Sequence, residues 1–242
     1  MKEFSVVMSL VDYIPVALFT AAAILLMRNL YNKMSKGAFA LFGAGTIDVV
    51  CAGFLKATYK LLYALGLCDF KALSNVFFPM QSLGFMLAGI GMLALLCHKQ
   101  TTTRQEPKAL NKTPIIVTLI VVLILVIVIL CHGNSTTGVA PTYFSGTFVF
   151  VALMIIGLGC MDVGLCVLSK KVGKASLIAL FIVSFFLSLC MGYLSSRDFN
   201  GALINWLAEC INTIGQGTLL LGAVLLHKNG LDKLRLHNGE TA

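Results

Sequence analysis

The chain has 242 residues, of which 58% are hydrophobic and only 12% charged, with a formal net charge of +8. Soluble domains run near about 45–50% apolar and about 25% charged, so a water-soluble globular protein is excluded and lipid is the expected solvent. A basic excess in such a chain reports membrane sidedness, and no nucleic-acid partner is expected.

In chain order, the leader MKEFSVVMSLVDYIPVALF lacks a clear small-x-small cleavage site and carries an acid near its start. The first span is therefore expected to act as its own uncleaved insertion signal. Phe4, Val7, Met8 and Val11 fall at helical spacing, which suggests a short interfacial helix ahead of it. A span needs roughly 20 mostly apolar residues to cross about 30 Å of hydrocarbon. Seven segments qualify: 13–31, 38–60, 73–97, 114–132, 144–168, 175–195 and 203–227. The expected fold is all-α, a single polytopic domain over 1–242.

Span two holds Asp48, twelve residues past Lys36 and so about 18 Å along its helix, close to mid-bilayer. An isolated ionised carboxylate is costly there and must be protonated, paired or facing water. Lys56 and Lys60 lie one turn apart toward the outer end of the same span. Reaching the headgroups on their own stems is the favoured reading, with neutralisation of Glu209 as the alternative. Gln81 lies at similar depth in span three, which also carries Gly84, Ala88, Gly89 and Gly91. Span four, PIIVTLIVVLILVIVIL, has no Gly or Ala and only Thr118 as a polar group. Packed membrane helices use small residues to approach one another, so this contrast suggests a lipid-facing spacer.

Asp162 in span five is about 12 Å from Lys170 and is a candidate coupling or gating acid, as is Lys56 among the cations. Ser184 and Ser188 share a face of span six, where satisfying their own backbone is the default. Span seven carries Asn205, Glu209, Asn212 and Gln216 at steps of four, three and four, a single narrow stripe. Facing lipid with it would be expensive. Glu209 precedes His227 by roughly 27 Å along the axis, near the outer boundary, with Gln216 near the midplane. The stripe reads as one wall of an outward-opening cleft. The competing reading is structural, with each inter-helix bond contributing only about 0.6 kcal/mol.

Thirteen Lys and Arg fall in loops on one side and five on the other, among them Lys2, Lys56, Lys60, Lys71 and Arg197. This bias predicts an outer N-terminus and a cytoplasmic C-terminus. Residues 68–99 align without gaps to 197–228: Asp69-Phe70 matches Asp198-Phe199, and His98-Lys99 matches His227-Lys228. LYNKMSKGAF (30–39) likewise resembles LSKKVGKASL (168–177). The expected organisation is repeat one over about 13–99, the spacer helix 114–132, and repeat two over about 144–228. An odd spacer leaves the two three-helix units in the same orientation, a parallel repeat.

This three-plus-one-plus-three layout, with the N-terminus outside, resembles that of the SWEET sugar transporters and the nicotinamide riboside transporters. The likeness covers the layout of the whole chain and includes no diagnostic motif. The Pro-Gln pair of the PQ-loop relatives is absent, Pro79-Met80-Gln81 only approximating it, and Trp206 is the single Trp where the riboside carriers look Trp-rich. Architecture of this kind does not assign function.

The eight cysteines form no CxxC pair, and the histidines at 98, 132, 227 and 237 fall at span ends or in the tail. Neither pattern suits a metal site, so no cofactor, no metal and no catalytic residue is expected. Cys68 and Cys131 fall at the same face, with two unpaired thiols the favoured reading. Asn134-Ser-Thr is a glycosylation sequon of weak specificity. The expected protein is a multi-pass protein of the cell membrane, a small secondary transporter or channel-like protein for a polar, cationic or proton-coupled solute. Its substrate-binding candidates are Asp48, Glu209, Asn212, Gln216, Asn205 and Gln81. Its partners are the bilayer and that solute, with homo-oligomerisation open. A heptahelical ligand sensor and a membrane-embedded enzyme are the alternatives.

Overall fold

The computed structural model describes residues 5–97, 146–195 and 202–234. The fourth expected span at 114–132, Cys131, Asn134 and the 197–201 part of the internal alignment lie outside them. All regular structure among the described residues is helical.

Ser5 caps the first helix, α1 (Val6–Val11), by accepting from the Met8 N–H at 3.2 Å. Pro15 then removes the N–H that the Val11 carbonyl would have used, and the ladder breaks at Asp12. Asp12 keeps right-handed helical angles (φ −56, ψ −24), so α1 leads straight into α2 (Tyr13–Leu30). The two make one apolar stretch of 25 residues, Val6–Leu30. From Val6 onward the leader is helical, as its spacing suggests. However, it buries Met8 and Ser9 and packs on the next helix instead of lying apart as an interfacial segment. The first span consequently begins earlier than expected and takes Asp12 inside it.

Ser35 caps α3 (Lys36–Leu65), accepting from the Ala38 N–H. Gly66, at φ 71, ends it: the Leu67 N–H reaches back to the Leu62 carbonyl at 3.1 Å, a closure that needs the left-handed conformation glycine adopts without strain. A single turn, α4 (Lys71–Asn75), precedes α5 (Phe77–Cys97). After the undescribed stretch come α6 (Gly146–Lys171), a short turn at Ala175–Leu177, α7 (Ile178–Ser195) and α8 (Ala202–Leu226). Among the described residues, six helical stretches are long and apolar enough to span a membrane, which makes this a multi-pass membrane protein: Val6–Leu30, Lys36–Leu65, Ala72–Leu96, Val149–Lys171, Ala175–Leu194 and Leu203–Leu231.

These helices pack as a closed ring in chain order, α2 on α3, α3 on α5, α5 on α6, α6 on α7, α7 on α8 and α8 back on α2. Small residues set the closest approaches. A Cβ added at Gly84 would lie 2.8 Å from the Gly45 carbonyl oxygen, and one at Gly91 would lie 2.6 Å from the Phe42 nitrogen, so α5 runs antiparallel to α3. Gly157 faces the backbone of Phe85 and Met86, and Gly164 faces Met92, so α5 and α6 run parallel. Leu18 lies near Gly217 and Asn29 near His227, so α2 and α8 are parallel too.

The two ends of the ring differ. At the basic end, His227 Nδ1 is 2.9 Å from Asn29 Oδ1, and Lys33 Nζ donates to the Asp232 carbonyl at 2.8 Å. Partial burial holds the Lys33 ammonium below the usual lysine range, and the Asp232 charge opposes that shift. Next to this end the interior is filled by fully buried Leu30, Phe42, Met92, Leu165, Phe181 and Leu226. The opposite half of the ring holds Asp12, Lys60 and Glu209 and the cavity that they border.

Candidate functional site

Three helices converge in that half. Asp12, at the α1–α2 break, and Glu209, on α8, both reach the Lys60 ammonium of α3, at 2.6 Å and 2.9 Å. All three side chains are about nine-tenths buried, so the triad joins α3 and α8 across the interior of the ring, where the charges are weakly screened. Asp12 Oδ1 keeps no hydrogen-bond partner among the described residues. Tyr13 Oη lies 3.0 Å from Thr58 Oγ1 and ties α2 to α3 beside the triad.

The triad borders a cavity of about 130 Å³. Its polar wall consists of Asp12, Lys56, Lys60, Gln81, Glu209, Asn212 and Gln216, with Ser188 beside them, and its apolar wall includes Phe19, Val49, Phe77, Phe85 and Met154. The space suffices for several water molecules or a small solute. Lys56 points into it with Nζ 3.9 Å from the centroid of the Phe77 ring and 5.8 Å from that of Phe78. The Gln216 Oε1 is buried and has no partner among the described residues.

On α8 the stripe of Asn205, Glu209, Asn212 and Gln216 turns into the bundle. Asn205 and Glu209 are buried, and Asn212 and Gln216 are half-buried on the cavity wall. The opposite face of α8 exposes Leu203, Leu207, Ile214 and Leu221. This helix is polar inward and apolar outward, the inverse of a surface helix in water.

Of the residues singled out from the sequence, Glu209, Asn212, Gln216, Gln81 and Lys56 share the cavity. Asn205 is buried a turn above Glu209 and is not among the lining residues. Asp48 and Asp162 are not on the lining either: Asp48 is fully buried on α3, next in chain to lining Val49, and Asp162 is buried on α6. None of their four carboxylate oxygens has a partner among the described residues.

Two expectations are corrected. Lys60 does not stretch toward headgroups; two carboxylates draw it inward, and their combined charge outweighs what solvent at the stem's end would supply. Ser184 does not satisfy its own backbone but donates to the Gly215 carbonyl of α8 at 3.1 Å, whereas Ser188 does bond back, to Ser184. Asp12 is the residue that sequence reasoning missed. Its signal was an acid preceded by SVVMSLV, already apolar and helical, and followed three residues later by Pro15. Starting the span at 13 assigned it to water.

Among the described residues, no group of three His, Cys, Asp or Glu side chains could hold a metal ion. Comparison with family models, curated proteins and solved structures returned no match.

Proposed function

We propose that the protein is a small secondary transporter or channel-like protein of the cell membrane that moves a polar solute through the interior of its helix ring. One observation carries this reading: a cavity bordered by eight polar or charged side chains lies inside a bundle of membrane-length helices. Polar groups at that depth are costly and cluster along solute pathways. The apolar plug at the basic end suits a carrier with its outer side accessible and its inner side shut.

The seven-helix, repeated architecture belongs to the same proposal. Two features support it: α5 and α6 run parallel, and the sequence between them includes 114–132, which is apolar over the length of one crossing. The two triples, α2–α3–α5 and α6–α7–α8, then have the same sequence of directions, which supports a parallel repeat. Neither the bundle's layout nor its lining calls for bond-making chemistry, and we assign the protein no enzymatic role.

Reconstitution in proteoliposomes tests the reading with a panel of labelled polar solutes: amino acids, sugars, nucleosides and small amines. Accumulation of one class, reduced at least tenfold by Glu209→Gln or Gln216→Leu in protein that still elutes as a single species, supports transport. Vesicles that take up none of the panel faster than protein-free controls overturn it.

A further inference from the structure

Lys56 is a cation on the cavity wall, but both ion pairs found among the described residues use Lys60 instead. Its ammonium lies against the Phe77 face, a contact that steadies a cation without neutralising it. On the lining of the same cavity, Asp12 offers an oxygen with no partner among the described residues, and Gln216 offers a second orphaned acceptor. Buried polar atoms are normally satisfied, so two orphaned buried acceptors on a cavity wall that also carries the Lys56 ammonium mark places that a ligand completes. A cation and an acidic acceptor thus line one cavity, and the formal charges of Asp12, Glu209, Lys56 and Lys60 sum to zero. A solute carrying one net charge would leave that balance broken in a poorly screened interior.

We propose that this cavity takes a zwitterion, an amino acid with an apolar side chain, its carboxylate on Lys56 and its ammonium on Asp12 Oδ1. Gln216 Oε1 is within the same wall to accept a further N–H, and Phe19, Phe85 and Met154 form the apolar surface for the side chain. The assignment narrows the polar solute of the transport reading to one chemical class and rests on that reading for its physiological meaning.

Three probes of one shape separate the charges: L-leucine, the amine that lacks its carboxylate (3-methylbutylamine), and the acid that lacks its ammonium (4-methylpentanoate). Binding is measured on the detergent-purified full chain by equilibrium dialysis with labelled ligands. L-leucine is expected to bind and the two half-ligands to bind at least tenfold more weakly, because each leaves one buried charge unpaired. Lys56→Met is expected to weaken leucine binding by at least tenfold and Lys56→Arg to restore most of it, in variants whose unfolding temperatures match the parent. Equal binding of the amine, or leucine binding unaffected by Lys56→Met, overturns the assignment. Failure of leucine to bind while another solute class is accumulated in vesicles overturns it and leaves transport standing. Lys56-dependent leucine binding without uptake upholds the zwitterion site and removes the transport reading.

Discussion

Lys60 is the side chain on which the buried electrostatics turn. With its ammonium gone, Asp12 and Glu209 would face each other without a counter-charge at about nine-tenths burial. Breaking a buried pair by removing one partner costs about 3 kcal/mol or more, while replacing all charged members by neutral ones is often harmless. Lys60→Met is therefore expected to lower the apparent unfolding temperature of the purified protein by on the order of 5–10 °C. The triple variant Asp12→Asn/Lys60→Met/Glu209→Gln should recover most of that loss; a triple variant as unstable as the single one would show that Lys60 matters for packing rather than charge. Asp48 and Asp162 pose the opposite case, since neither has a cation to lose. Asparagine at either position keeps the shape and removes the possibility of a buried charge. Asp48→Asn and Asp162→Asn are expected to leave thermal stability unchanged or higher. If either acid carries the coupling proton, its variant will still exchange solute across vesicles at equal concentration but will not accumulate it against a gradient. The α8 stripe was legible in advance because four polar residues at helical spacing in an apolar run have one inexpensive orientation. That Lys60 would turn inward was not, because that depends on Asp12, more than forty residues away in sequence and assigned to water.

At the scale of elements, the helix boundaries expected from sequence lie within about five residues of those observed, as for α3, expected over 38–60 and found over Lys36–Leu65 between Ser35 and Gly66. The exception, the start of the first span, lies where Pro15 interrupts the ladder without ending the helix's course. The small residues of α5 were legible as a packing surface, but not the partners on its two sides. Gly84 meets Gly45 and Val49 on α3, while Gly89 meets Gly157 and Cys160 on α6. Gly84→Val would force backbone, not a flexible side-chain end, to move, and overpacking of this kind costs about 1–3 kcal/mol. Its expected readout is a lowered unfolding temperature together with loss of the cavity's binding, because Val49 borders both. Gly37 is the control: a Cβ there meets nothing within 4 Å, so Gly37→Ala should be neutral or stabilising by about 0.5 kcal/mol. If the two glycine variants behave alike, close backbone contact is not what joins α3 to α5.

For the whole molecule, the ring's chain order and the direction of each helix jointly determine sidedness. The α3–α4 connection, with exposed Cys68, is at the cavity end, whereas Lys33, Lys174 and Lys228 are at the plugged end. Charge counting along the sequence puts that plugged end in the cytoplasm. Since α2 and α8 run parallel, the two ends of the described chain lie on opposite sides, and this holds whatever the orientation in the bilayer. The proposed repeat rests in sequence on sparse matches alone, because apolar spans resemble one another; direction is geometric information that composition does not carry. In a Cys131→Ser background, a membrane-impermeant maleimide applied to intact cells should modify Cys68, with the signal lost on adding Cys68→Ser, whereas a cysteine placed at Lys174 in that doubly substituted chain should react only after the membrane is permeabilised. Reversal of both results would turn the molecule over and open its cavity to the cytoplasm, making the polar wall a site for a cytoplasmic solute. Modification of both positions in intact cells would mean that they share one side, which the antiparallel packing of α3 and α5 and the parallel packing of α5 and α6 do not allow.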